Sequence, residues 1–239
     1  MSTQRQSEQG VAIRGGAGDI RLIGAVAGII GPVLFTVGFV VQGWFRRGEY
    51  DPIAETVSAL EAGPHGWIQQ LNFLVFGILM MIFSVGLGFG LHTPRRWLGS
   101  GMVAWWGVGL VMAGLFPLRQ DLDGQTYDPT GMHQPNGAVF FLSTWVGLAI
   151  LTWCLRSDAH WRGLTRYTLI AAVALAGLFI TMAVFGIPSD APLHPWAGLL
   201  QRVVLVVWFP CLIALAIRLW HVSRSQSLIP IGDHSISIV

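Results

Sequence analysis

Six long apolar stretches dominate this chain. They run over residues 22–45, 67–91, 97–117, 136–155, 165–187 and 196–220. A helix needs about 20 apolar residues to cross the hydrocarbon core of a bilayer. Lipid offers no hydrogen bonds to a bare backbone, so continuous runs of this length are helices. The expected fold class is therefore all-α: a polytopic membrane protein with six transmembrane helices. Composition agrees, since 53% of the 239 residues are hydrophobic and 11% charged, against about 25% charged in soluble domains. The expected layout is an N-terminal tail over 1–21, a membrane domain over 22–220 and a C-terminal tail over 221–239. The N-terminal tail is polar and glycine-rich and is expected to be mobile, as is the serine-rich tail. No cleavable signal peptide is expected, because the first apolar stretch is too long for one.

The chain contains no lysine; all 14 basic residues are arginine. That excludes Schiff-base cofactors such as retinal or pyridoxal, which need a lysine amine, and phosphate loops ending in Gly-Lys-Ser/Thr. A net charge of +2 gives no nucleic-acid footprint. Cys154 and Cys211 both lie in apolar spans and read as small core residues.

Arginine also sets the expected orientation. Arg5, Arg14, Arg21, Arg95, Arg96, Arg156, Arg162, Arg166, Arg218 and Arg224 flank one side; Arg46, Arg47, Arg119 and Arg202 flank the other. The positive-inside rule then puts both termini in the cytoplasm of a plasma (inner) membrane. The three outer loops are 46–66, 118–135 and 188–195. Trp44, Trp67, Trp97, Trp153, Trp161, Trp196 and Trp220 lie near span ends, as an interfacial aromatic belt does. Trp105, Trp106, Trp145 and Trp208 lie deeper, in helix packing or around an apolar ligand pocket. Gly24 and Gly28, with Gly86, Gly88, Gly90, Gly107, Gly109 and Gly114, predict close helix contacts.

The first outer loop predicts a short interfacial helix from Pro52 to about Glu61, capped by Asp51 and ended by Gly63-Pro64. Ile53, Val57 and Leu60 form an apolar stripe facing lipid or the interface, while Glu55 and Ser58 face the bundle.

Three histidines, His65, His133 and His194, each precede an even-numbered span, in a weak internal repeat. His133, His194 and Asp121 or Asp123 are the candidate ligands for a zinc-type metal, with His65 and Glu55 as substitutes. No ligand motif such as HExxH accompanies them, and capping or hydrogen-bonding roles are the commoner use of such histidines. Arg202 lies about two turns inside the sixth span, where a bare charge is costly. It is expected to pair with an outer-loop carboxylate, Glu55 or Glu61 first, or to hold a lipid phosphate or carboxylate. With Gln201, Glu55, Ser58, Asn72 and Gln69 it forms the candidate ligand-binding set. No Asp, Glu or His sits at the centre of any span, which counts against ion pumps and proton-coupled transporters.

Tyr50-Asp51-Pro52, Thr56-Val57-Ser58-Ala59-Leu60, Gly63-Pro64 and Gly66-Trp67 resemble the first-loop signature of the domain of unknown function nine-nine-eight family of bacterial and archaeal membrane proteins. Phe116-Pro117, His133 and Gly198-Leu199-Leu200-Gln201-Arg202 extend the resemblance over about 22–220. The chain departs from it at Arg119, where the family tends to carry an acid, and at Gly137, where it often carries a second histidine. The resemblance implies six helices and no established activity.

The expected function is a non-enzymatic module that binds a membrane lipid, or another membrane protein, in a polar pocket opening on the outer face, without a cofactor. The alternative is a metal-dependent hydrolase or transferase acting on a lipid, with zinc as its ion. The topology is testable: a cysteine introduced at Ser223 should be inaccessible to impermeant thiol reagents in intact cells, and labelling from outside would reverse the orientation.

Overall fold

The computed structural model describes residues 2–227. Six helices follow one another: α1 Ser2–Phe45, α2 Trp67–Gly90, α3 Arg96–Leu115, α4 His133–Arg156, α5 Thr165–Thr181 and α6 Ala197–Ser227. Each contains a segment long and apolar enough to cross a membrane. The protein is thus a multi-pass membrane protein, and the all-α reading holds. The helical boundary expected at residue 22 lies further out: α1 begins at Ser2, and its spanning portion starts at Gly18. No proline interrupts the polar segment before it, so the helix simply continues. The serine-rich tail beyond Ser227 lies outside the described residues.

Helices adjacent in sequence pack against each other, and α1 also lies along α6, which closes the bundle. Small residues set the closest approaches, as expected. A Cβ on Gly24 would stand 2.7 Å from the Cα of Gly86, and one on Gly107 2.7 Å from the carbonyl oxygen of Gly77. Dispersion contacts then hold helices that gain nothing from hydrophobic burial in lipid. Outward-facing apolar residues such as Ile170, Val173 and Val206 remain exposed and suit contact with acyl chains. Of the seven belt tryptophans, Trp44, Trp67, Trp97, Trp153 and Trp196 are well exposed and Trp220 is partly buried. Trp161 is the exception. It is fully buried, and its indole N–H donates to the Gly90 carbonyl at 3.0 Å, joining the α4–α5 loop to the end of α2. Cys154 and Cys211 are buried, free core thiols.

The first loop does carry a short helix, but over Val57–Glu61 rather than from Pro52. Asp51–Glu55 form a tight turn, in which Asp51 Oδ1 accepts the Ile53 N–H and Glu55 Oε2 accepts the Asp51 N–H, each at 2.8 Å. Thr56 is extended, and a short 3-10 turn follows over Val57–Glu61. The apolar stripe splits accordingly. Ile53 is exposed, whereas Val57 and Leu60 are buried in the core rather than turned to lipid. The second loop carries a two-residue hairpin, β1 Arg119–Gln120 against β2 Thr126–Tyr127. The α5 helix ends in a five-residue π turn, Met182–Gly186.

Ser223 is buried, and its hydroxyl donates to the Gly18 carbonyl. The topology label is therefore better carried by exposed Ser225, with the same expected outcome.

Candidate functional site

The first loop lies across the start of α6, and its backbone supplies what that helix end lacks. The first amides of a helix have no partner within it. Here the Gly198 N–H donates to the Ala54 carbonyl at 3.2 Å and the Leu199 N–H to the Ile53 carbonyl at 2.9 Å. Gln201 turns back to accept the Val57 N–H on Oε1 at 2.6 Å. The approach is so close that a Cβ on residue 198 would overlap the Glu55 carbonyl oxygen, so only glycine fits.

Two arginines complete the clamp. Arg202 donates through Nη1 to the Glu55 carbonyl at 3.1 Å and to Gly198 O at 2.9 Å, and through Nη2 to the Tyr50 hydroxyl. Arg46, buried at the end of α1, donates to the Leu60 and Ala62 carbonyls at 3.2 and 2.8 Å. The expected Arg202 ion pair with Glu55 or Glu61 does not form. Backbone carbonyls and a phenol take its donors instead, because the broken loop turns its C=O groups toward the guanidinium.

Glu61 goes elsewhere. The glycines of Gly63-Pro64-His65-Gly66 fold the chain back tightly enough to bury it to 1% exposure. Gly63 has φ +77°, and a Cβ on Gly66 would overlap the Glu61 carbonyl. Glu61 Oε2 lies 3.3 Å from His133 Nδ1 and accepts the Leu118 N–H at 3.4 Å. The same Nδ1 is 2.9 Å from the Phe116 carbonyl. A carbonyl only accepts, so Nδ1 carries a hydrogen in this contact. Burial pushes the Glu61 carboxyl up to about 8, against the opposing pull of the Leu118 N–H and Arg119.

Beneath this loop lies a cavity of about 630 Å³, lined by residues from all six helices. Its polar wall contains Glu55, Thr56, Ser58, Thr126, His133, Gln134, Asn136 and Gln201. Its apolar wall is aromatic: Phe35, Phe76, Phe140, Trp208 and Phe209 meet at ring-centroid separations of 5.0 to 6.1 Å. The Trp208 indole N–H is buried and, among the described residues, has no hydrogen-bond partner. Met182, at the start of the π turn, lines the same space, and such turns often mark functional sites.

Of the six candidate ligand residues, Glu55, Ser58 and Gln201 line the cavity. Arg202 holds the loop from the other side. Asn72 donates to the Phe35 carbonyl at 3.0 Å and to Gln69 Oε1 at 3.2 Å, so this pair ties α1 to α2 outside the cavity wall. The candidate metal ligands are not gathered. Among the described residues no three-ligand group includes His133, His194 or Asp121. His194 Nδ1 is 3.1 Å from the Gly186 carbonyl. Asp121 Oδ1 accepts the Asp123 and Gln125 N–H groups at 3.0 and 2.7 Å, which shapes the hairpin turn. His65, expected as a substitute ligand, is exposed in a left-handed conformation, with φ 57°. Asn136, Thr126 and the Glu61–His133 contact were not legible as site features; an acid two residues before a Gly-Pro-His-Gly turn was the available signal for Glu61.

Two outcomes follow. Arg202→Ala removes charge-assisted hydrogen bonds and strands loop carbonyls, so thermal unfolding in detergent should show a loss of about 2–4 kcal/mol. Arg224→Ala, where the guanidinium only stacks over Trp220, should change little. For Glu61, a folded value of about 8 lies above the ordinary 4.5. Its contribution is complete below pH 4.5, falls as pH rises through this window, and is lost above about 8. The full span is worth roughly 5 kcal/mol. Glu61→Gln, which cannot ionise, should flatten that decline in a pH series of unfolding midpoints.

A family model described as "Protein of unknown function (DUF998)" matches residues 29–218. No curated protein and no solved structure matches the chain. The matched region spans α1 to α6 and includes the first loop, His133 and Gln201-Arg202, and the chain belongs to the DUF998 family.

Proposed function

We propose that this protein is a binding module for an uncharged single-chain amphiphile, held with its head among the polar residues under the first loop and its tail against the aromatic wall. The observation that carries this reading is the cavity itself, with one polar and one aromatic wall inside a membrane bundle. Its volume falls within the roughly 300–1,000 Å³ of small-molecule sites. Among the described residues no arginine lines it, and its only ionisable lining groups are Glu55 and His133. A phosphate head would meet a carboxylate there without a countercharge. A hydroxyl or amide head finds donors and acceptors on Ser58, Thr56, Gln134, Asn136 and Gln201. Arg202 does not line the cavity, and it donates to Glu55, Gly198 and Tyr50. The cavity opens on the side that the arginine distribution places outside the cell.

The test compares a long-chain alcohol with the corresponding alkyl phosphate, each binding to detergent-purified protein. The alcohol should bind at least ten-fold more tightly, and Ala113→Phe, which fills the cavity, should abolish binding while the protein still unfolds cooperatively. Equal or tighter binding of the phosphate, or binding unaffected by Ala113→Phe, overturns the reading.

A further inference from the structure

At the opposite end of the bundle, the α2–α3 loop meets the α4–α5 loop. Asp158 lies between them and is 2% exposed. Its Oδ2 accepts the His92 N–H at 2.6 Å and its Oδ1 the His160 N–H at 3.0 Å. Both imidazoles lean on the same carboxylate: His92 Nδ1 is 3.9 Å from Oδ2 and His160 Nδ1 is 3.5 Å from Oδ1. The rings are 5.3 Å apart, and one ligand atom from each of the three residues lies within 4.8 Å of the others.

We propose that His92, Asp158 and His160 form a binding site for a divalent transition-metal ion of the zinc type. Zinc takes histidine nitrogen at about 2.0–2.1 Å and carboxylate oxygen at about 2.0–2.2 Å in a tetrahedron. The edges of such a tetrahedron are roughly 3.3 Å; one ligand atom from each residue already lies within 4.8 Å of the others, and because the 3.5 and 3.9 Å separations run to different oxygens of Asp158, side-chain rotation brings both imidazoles to one oxygen or lets the carboxylate chelate through both. A carboxylate has about four lone-pair positions, and the two backbone amides leave room for a metal. Those amides also fix the orientation of the carboxylate, as outer hydrogen bonds do in metal sites. The imidazoles are 43% and 57% exposed, which gives the ion an entry path and leaves a fourth position for water. The donor set of two nitrogens and one oxygen favours zinc-like ions over calcium or magnesium, which prefer oxygen alone. Arg218 donates to the His160 carbonyl at 2.6 Å, so its side chain is turned to the backbone. An ion here clips the α2–α3 loop to the α4–α5 loop, and through Arg218 to α6.

The site is separate from the cavity and its test is independent of the amphiphile. Full-length protein without a histidine tag, stripped with chelator, is titrated with Zn²⁺ against a chromophoric competitor and with Co²⁺ by visible absorption. One equivalent should bind, with tetrahedral Co²⁺ bands and a raised unfolding midpoint. His92→Ala and His160→Ala, both at exposed positions, should each weaken binding at least ten-fold and remove the midpoint shift, whereas His65→Ala should not. Absence of stoichiometric binding to the wild type overturns the proposal. So does binding that survives in the His92→Ala/His160→Ala double variant.

Discussion

The first-loop end of this protein depends on one arrangement, the capture of loop carbonyls by cationic and amide donors at the ends of α1 and α6. Carbonyls of Ile53, Ala54 and Glu55 face the first amides of α6 and Arg202, while those of Leu60 and Ala62 face Arg46. A loop at the rim of a membrane bundle has little water to satisfy its backbone, so each C=O needs such a donor. A continuous helix over Pro52–Glu61 would have spent those carbonyls internally and left the start of α6 bare. Breaking the loop at Thr56 satisfies both elements at once.

That clamp is also what makes a cavity. With Val57 and Leu60 drawn inward and Gly198 admitting the loop backbone, the loop roofs a space that the helices below do not fill. The roof brings hydroxyl, amide and carboxyl groups. The walls bring phenylalanines and Trp208, whose rings pack edge-on at distances typical of stable aromatic pairs. The polar side and the apolar side of the cavity thus have different origins in the chain, one in a loop and the helix starts around it, the other in the span interiors. An amphiphile matches that division.

The two ends of the bundle use buried carboxyls differently. Glu61 sits under the loop with His133 beside it and little else to stabilise its charge, and its carboxyl is driven toward the neutral form. Asp158 sits at the opposite end with a backbone amide on each oxygen and an imidazole on each flank. Asp158 thus receives two backbone amides where Glu61 receives one, from Leu118.

Six spans, their limits to within a few residues and the close glycine crossings were legible in the sequence. Span length, hydropathy and small-residue spacing are local properties that lipid imposes directly. The weight placed on Arg202 was legible for the same reason, since a cation at that depth must find partners wherever the chain supplies them. Which partners it finds was not. Carboxylates are visible in a sequence, but backbone carbonyls belong to every residue and carry no mark. Likewise, Asp121 and His194 read as ligands by residue type, yet three-dimensional placement assigns them to a hairpin turn and to the Gly186 carbonyl. The juxtapositions of Glu61 with His133, and of His92 with Asp158 and His160, join residues 72 and 68 positions apart at their farthest. Sequence alone determined that the chain crosses a membrane six times, because that follows from one solvent acting on one segment at a time. Only the tertiary structure decided which polar groups meet, because loops at the ends of a bundle are placed by the packing of helices far apart in the chain.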